Sequence, residues 1–378
     1  MPSLNSRGRA TTQDTHPVRV AIVAPRIEHL LGGQEVQAQL LLKLWHGDPE
    51  VQAWYVASNP GLPGWLERVP YLRTVTRFPV YLTTLLRGLR DADVVHIFST
   101  AFSGFLISVV PAYAVARLLG KKVLINYRSG LAQKHMRASS FARGVLRHAD
   151  RVMVPSAYLV DVLDEFEIAA KEIPNIVDTT LFSYRARNPI RPLLLCSRNL
   201  EAWYGIDLIL RAFAQVQCVF PEARLWVLGE GSEEKGIRRL TGELNIKGVE
   251  LPGRIPRERI AEFYGKADIL INASRVDNMP ASLLEAFACG LAVVSSNAGG
   301  IPAIVTHGET GLLSEMEDWK GLAENVIRLL RDPELARRLT ENAYQQSREY
   351  RWEKIREPWL RTYKGLVSGS GTATRWLT

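Results

Sequence analysis

Cysteine is scarce in this chain: three in 378 residues, Cys196, Cys218 and Cys289, set far apart in apolar or helical surroundings. No paired spacing suits a disulfide framework or a zinc site, so the sequence predicts a reducing, cytoplasmic setting and no resident metal. Long apolar runs are missing too. The longest, Ala101–Ala116, has Pro111 inside it and Arg117 closing it, and falls short of the roughly 20 residues that a spanning helix needs. It reads as a buried helix. A second reading rests it, with Lys121 and Lys122, on an anionic bilayer surface as a peripheral attachment at the inner face of a membrane. The first seventeen residues hold Arg7, Arg9 and Asp14 and no apolar core, which speaks against a secretory signal and predicts a disordered leader over 1–17.

Low-complexity sequence is confined to Ser368–Thr372, within a polar tail over 368–378. Blocks of one charge are absent as well. Lys and Arg outnumber Asp and Glu by 47 to 39, a net charge of +8, but the charges are scattered. The excess favours anionic partners such as nucleotides or phospholipid, while no aromatic-basic motif points to nucleic acid.

What is present is ordinary globular material, 47% hydrophobic and 23% charged, long enough for two domains of somewhat under about 200 residues each. Short β-branched runs alternate with longer helical patterns, the mark of parallel sheets with crossover helices. In the first half the strands fall at Val18–Ala24, Ala53–Ala57, Val94–Phe98, Val123–Asn126 and Arg151–Val154. Helical patterns near Glu35–Trp45, Phe102–Leu119 and Ser156–Glu165 lie between them. Around Phe182–Pro192 the chain becomes irregular and charged, as a linker would. The pattern then restarts with strands at Leu193–Cys196, Arg224–Leu228, Val249–Leu251, Ile269–Asn272 and Ala292–Ser295. Helices at Ile206–Val219, Arg257–Gly265, Ala281–Cys289 and from Trp319 onward accompany them. The predicted organisation is one domain over 18–185, a second over 186–351, and a helix over 352–367 returning to the first. Two facing doubly wound sheets leave a cleft at the carboxyl ends of their strands.

Several segments could furnish that cleft. Gly32 and Gly33 precede a helix whose free N–H groups could meet an anion, though paired glycines also serve plain turns. Arg198 and Asn199 follow a strand and lead through Tyr204 into a helix, which suits diphosphate binding or an interdomain ion pair. Gly229 and Glu230 end one strand, and Arg254 and Ile255 follow another, each placing backbone near a base or ribose edge or making an ordinary turn. The most informative stretch runs from Asn272 through Asp277, Asn278, Met279, Pro280, Ala281, Ser282 and Leu283 to Glu285. If a helix starts at Pro280 or Ala281, the amides of Ala281, Ser282 and Leu283 are its unpaired donors. Glu285 then lies one turn in and faces the same cleft. Two carboxylates eight positions apart also admit a glycosidase reading.

Taken in order, residues 18 to 365 resemble family 4 of the retaining glycosyltransferases, the group 1 enzymes akin to glycogen synthases and mannosyltransferases. That family's donor loop reads Glu, seven residues, Glu, Ala, and ends in Ala-Cys-Gly before an apolar strand. Asp277 to Glu285, then Ala286-Phe287-Ala288-Cys289-Gly290, follows the pattern. Ala149-Asp150-Arg151-Val152, Ile173-Pro174-Asn175, Gly299-Gly300-Ile301-Pro302 and Gly308-Glu309-Thr310-Gly311 match in the same order. The resemblance implies an α/β fold of the GT-B type, two facing Rossmann-like domains with an interdomain cleft. It implies transfer of a sugar from a nucleoside-diphosphate sugar to an acceptor hydroxyl with retention, with no cofactor and no metal. Bacterial polysaccharide or glycolipid synthesis would be its setting, the acceptor being an unassigned glycan, lipid or small molecule. Glu285 would hold the donor ribose, Asp277 the sugar, and Ile255 the base through its backbone. Three departures stand out: aspartate at 277 for the family's glutamate, Tyr204 for its lysine, and Arg128 where its first-domain histidine is expected. Arg128 would then supply charge to the leaving diphosphate alongside Arg198. A sugar-nucleotide epimerase and a degenerate nucleotide-binding protein without transferase activity are the alternatives.

Overall fold

The computed structural model describes residues 16–26, 33–62 and 70–369. The leader apart from its last two residues, and the tail from residue 370, lie outside them. Two six-stranded parallel sheets carry the fold. The first contains β1 (Val18–Ala24), β2 (Val51–Ala57), β3 (Val94–Ser99), β4 (Lys122–Tyr127), β5 (Arg151–Val154) and the short β6 (Lys171–Glu172), in the order β2-β1-β3-β4-β5-β6. The second contains β7 (Leu193–Ser197), β8 (Arg224–Leu228), β9 (Val249–Gly253), β10 (Ile269–Asn272), β11 (Ala292–Ser296) and β12 (Leu312–Ser314), in the order β12-β11-β10-β7-β8-β9. Every residue of β3, β10 and β11 is buried. That is why these strands carry apolar residues on both faces and do not alternate apolar with polar.

Strand order reverses between β1 and β3 in the first sheet and between β7 and β10 in the second. Crossovers leave those two points in opposite directions, opening a crevice at the strands' carboxyl ends. Helix α1 (Gly33–Trp45) follows β1, and α2 (Pro70–Gly88) follows β2. The predicted helix after β3 is continuous from Phe102 to Leu118, with a π-turn over Phe105–Val109. Its inner face, including Phe105, Val109 and Ala112, is buried, while Leu106 and Ile107 are exposed. No helix among the described residues is long and apolar enough to cross a membrane.

Three features are not visible in the sequence pattern. Helix α2 begins at Pro70, where apolar spacing interrupted by Pro79 conceals it. Most of 130–140 is likewise helical, as α3 (Ala132–Ala138), followed by α4 (Ser140–Arg147), which Ser139 caps by accepting from the Ala142 amide. The charged stretch before β7 is irregular but firmly held. Arg185, Arg187 and Arg191 converge on Asp268, itself 1% exposed, and Arg187 also donates to the carbonyls of Ala267 and Tyr264. Charge density there marks an ion cluster on the buried Asp268, with Arg187 buried beside it and Arg185 and Arg191 partly exposed.

The final helix, Trp352–Val367, packs on the first domain. Ile355, Trp359, Leu360, Tyr363 and Leu366 join Val20, Ile22, Leu41 and Trp45 in one core cluster, and Arg356 donates to Asp48 and Glu50. At its centre is His96 on β3, fully buried, between Phe98 at 4.9 Å and Trp359 at 4.8 Å. Its Nδ1 lies 2.8 Å from the Tyr363 hydroxyl, and its Nε2 lies 3.1 Å from the Asn126 amide nitrogen.

Burial, with the nearby Arg128 charge, pushes the His96 pKa down to about 3. The unfolded histidine takes up its proton near pH 6.5, so stability from the neutral ring is complete above that pH and is lost as pH falls toward 3. The expected loss approaches ~1.4 kcal/mol per pH unit. Urea unfolding at pH 7 and pH 5 should therefore show a steeper decline for wild type than for His96→Gln. Equal slopes would remove His96 from the acid limb.

Candidate active site

The second sheet's reversal point brings Ser197 at the end of β7 beside Asn272 at the end of β10. Arg198, one residue beyond β7, turns its guanidinium toward the β10 loop. Its Nε donates to Asn272 Oδ1 at 3.1 Å and its Nη2 to Ser274 Oγ at 3.2 Å, and it forms an ion pair with Asp277. The Tyr204 ring lies under it, 4.6 Å from the guanidinium carbon. Asp277 is held as well: its Oδ1 accepts from the Asn278 amide at 2.9 Å, and its Oδ2 lies 3.1 Å from Ser274 Oγ. Both side chains of the pair are largely buried, at 13% and 12% exposure.

Glu285 sits on the helix Ala281–Cys289 and is 6% exposed. Its Oε1 accepts from Arg257 Nη1 at 3.2 Å. Arg257 opens the helix Arg257–Lys266 directly after Pro256 and lies over the Phe182 ring at 5.4 Å. Sequence reasoning missed Arg257. The available signal is a cation at a helix N-terminus, where the helix dipole disfavours it, so a nearby carboxylate has to compensate.

These groups line two adjoining cavities. The larger, about 540 Å³, is bounded by Arg198, Asn199, Tyr204, Gly229, Glu230, Arg254, Ile255, Arg257, Ala281, Ser282 and Glu285. The smaller, about 320 Å³, lies between the domains and is bounded by Gln34, Arg128, Asn175, Trp203, Asp277, Asn278, Met279 and Pro280. Gly33, Arg198, Tyr204 and Ala281 border both. A Cβ at Gly33 would meet nothing within 4 Å, so the space there is open. Both volumes suit small-molecule sites at a domain interface. Gly32 lies outside the described residues.

Leu283 does not belong to the site. Its side chain is fully buried in the second domain's core, and its N–H donates to the Pro280 carbonyl at 3.1 Å. The helix begins with Pro280 as its cap, and the tight first turn uses the third amide. Ala281 and Ser282 remain at the cavity, and Ser282 Oγ is buried without a partner. Asn278 and Met279 line the smaller cavity, but their polar atoms serve the domain contact. Asn278 Oδ1 accepts from Ser156 Oγ, and the Met279 carbonyl accepts from Asn175 Nδ2 at 2.7 Å.

Arg128 follows β4 on the opposite wall. It donates to Asn126 Oδ1 at 3.4 Å and to Asn175 Oδ1, and it lies 5.4 Å from the Phe98 ring. Burial pushes its pKa down to about 10, with Glu35 acting the other way; it stays charged at neutral pH. Among the described residues no three or more His, Cys, Asp or Glu side chains cluster as a metal site. The buried Cys196 and Cys289 thiols are pushed up to about 12 by desolvation, so neither is poised as a nucleophile.

Residues 180–346 match the family model of the glycosyl transferases group 1. Among characterised relatives, the N-acetyl-alpha-D-glucosaminyl L-malate synthase of Bacillus anthracis is 35% identical over 224 residues, 56% of this chain and 58% of that protein. A GDP-mannose-dependent monoacylated alpha-(1-6)-phosphatidylinositol monomannoside mannosyltransferase of Corynebacterium glutamicum is 33% identical over 38% of this chain and 39% of its own length. The chain thus spans between about two fifths and three fifths of these relatives. Its fold is that of the sucrose-phosphate synthase of Thermosynechococcus elongatus (TM-score 0.74, 21% identity, 93% of this chain and 100% of that one). Anabaena HepE, solved in complex with UDP-glucose, shares it too (TM-score 0.71, 16% identity, 92% and 99%).

One glycine holds this site in shape. Gly229 has φ 140°, and a Cβ there would overlap the Arg198 carbonyl oxygen and stand 3.1 Å from Asn199 Cα. Gly229→Ala should therefore cost more than about 2 kcal/mol in urea-unfolding stability. Gly253→Ala is the comparison: it also has positive φ, at 76°, but open space around it, and should cost only about 1 kcal/mol.

Proposed function

We propose, on the match of residues 180–346 to the group 1 glycosyl transferases, that the chain is a retaining, metal-independent glycosyltransferase using a nucleoside-diphosphate sugar. One observation carries the reading. At the reversal point of the second sheet, a largely buried arginine, a buried glutamate and the start of a helix border one cavity of nucleotide size. A helix start offers unpaired N–H donors and positive potential to phosphate oxygens. The HepE structure bound to UDP-glucose on the same fold supports a nucleotide-sugar donor.

In this reading the base lies against the backbone of Ile255 and the ribose hydroxyls donate to Glu285. The diphosphate meets Arg198 and the amides of Ala281 and Ser282, and the sugar reaches Asp277. Charge growing on the departing diphosphate is met by Arg198 from one domain and Arg128 from the other, electrostatic stabilisation of the kind that dominates many enzymes. These groups supply positive charge without a metal. A phosphate oxygen takes the acceptor's proton on the face the diphosphate leaves, so no protein nucleophile is needed.

We place the reaction in the cytoplasm, in bacterial polysaccharide or glycolipid synthesis. The exposed Leu106 and Ile107, with Lys121 and Lys122 closing the same crossover, support contact with an anionic bilayer. Nucleotide binding without transfer is the competing reading, favoured by Tyr204 in the lysine position.

Thermal stabilisation by UDP, GDP, ADP and their sugar conjugates tests the donor site. A ligand at 100 times its Kd adds about 2.7 kcal/mol. We expect one base to stabilise the wild type and Glu285→Ala to abolish the shift; no shift with any nucleotide would end the assignment. Transfer assays then separate the readings. Arg128→Ala should lose roughly 100-fold or more in turnover while keeping the donor's thermal shift, and near-full turnover would remove Arg128 from the chemistry.

A further inference from the structure

Asp277 already occupies the cation that a diphosphate needs. Its carboxylate pairs with Arg198, the guanidinium at the junction of the two cavities. Both side chains are largely withdrawn from water, so each strongly feels the other's charge. Tyr204 covers one face of the guanidinium and contributes no charge. An arriving diphosphate therefore meets a nearly neutral pair and has to compete with an internal anion.

The competition has a cost on the other side. When Arg198 turns to a diphosphate, the Asp277 carboxylate keeps only the Asn278 amide and the Ser274 hydroxyl. A buried carboxylate short of donors is unfavourable unless new donors arrive. Sugar hydroxyls are such donors, and they arrive only when the nucleotide still carries its sugar. Diphosphate on Arg198 and sugar on Asp277 thus support each other, and such coupling is reciprocal.

We propose that Asp277 is a specificity-determining residue that makes the site favour the intact nucleotide sugar over the free nucleoside diphosphate. After transfer the sugar no longer satisfies the carboxylate. Asp277 reclaims Arg198, and the product's hold is weakened where the product is most highly charged. This inference rests on the nucleotide-sugar reading of the site.

Calorimetric titration of UDP, GDP and ADP, and of UDP-glucose, ADP-glucose and GDP-mannose, into wild type, Asp277→Asn and Asp277→Glu tests it. Asp277→Asn keeps the shape and removes the competing charge. It should bind the free nucleoside diphosphate roughly tenfold tighter, an effect of the size expected for one charge in a partly buried site. Its preference for the sugar conjugate should collapse, whereas Asp277→Glu should retain the wild-type preference. Unchanged or weaker binding of the free diphosphate by Asp277→Asn would overturn the proposal. If Asp277→Asn does not fold, Tyr204→Lys adds an uncompensated cation beside the same guanidinium. It should also tighten free diphosphate binding and narrow the preference, and an unchanged ratio would equally overturn the inference. Wild type that binds no nucleoside diphosphate and no conjugate would instead bring down the reading of the site itself.

Discussion

Burial of a guanidinium is the constraint around which the cleft is built. An arginine at the carboxyl end of a central strand cannot be withdrawn from water without acceptors. Here the end of β10 supplies them as Asn272, Ser274 and Asp277. That demand shapes the loop between β10 and the helix at Ala281. The loop is braced from behind by Gly299 and Gly300, where a Cβ would overlap the carbonyl oxygens of Asp277 and Asn278. Gly229 lets the end of β8 approach the Arg198 backbone in the same manner. Gly229, Gly299 and Gly300 are therefore packing requirements of one largely buried charge, whereas Gly33 and Gly253 stand in open space.

Much of this was legible in the sequence because parallel strands buried on both faces announce themselves. Val18–Ala24, Arg151–Val154, Arg224–Leu228 and Ile269–Asn272 are found where their apolar runs stand. Elements whose stabilisation comes from neighbours were not legible. Helix Pro70–Gly88 carries Pro79 in its interior, and helix Glu234–Glu243 buries only Ile237 and so offers almost no apolar stripe. β12, three residues long, exists through its pairing with β11.

The candidate site divides along the same line. Arg198, Asp277 and Glu285 announce themselves by their place after a strand or within a helix's first turn, and the structure brings them to adjoining cavities. Their supporting partners do not. Arg257 stands 28 positions from Glu285, and Asn175 stands 104 from Met279. Such pairings belong to the tertiary fold. Leu283 illustrates the opposite error: a backbone donor assumed free at a helix start is consumed when the first turn tightens to a three-residue hydrogen bond.

The two domains are joined at the site by more than proximity. Arg128 donates to Asn126 Oδ1, so the Asn126 amide nitrogen is turned to His96 Nε2 and donates there. The ring nitrogen that accepts cannot carry the proton, which leaves Nδ1–H to donate to the Tyr363 hydroxyl. In the other direction Arg128 donates to Asn175 Oδ1, and Asn175 Nδ2 donates to the Met279 carbonyl. The chain of bonds therefore runs with fixed polarity from the final helix, through β3 and β4, to the loop that carries Asp277. It requires a neutral His96, since an imidazolium would place a second positive charge against Arg128 and offer Asn126 no acceptor. The final helix thus supplies more than apolar cover to the first domain. Its tyrosine ends the network that fixes the Arg128 guanidinium, and through it the distance between the cationic wall of one domain and the anion-ready loop of the other.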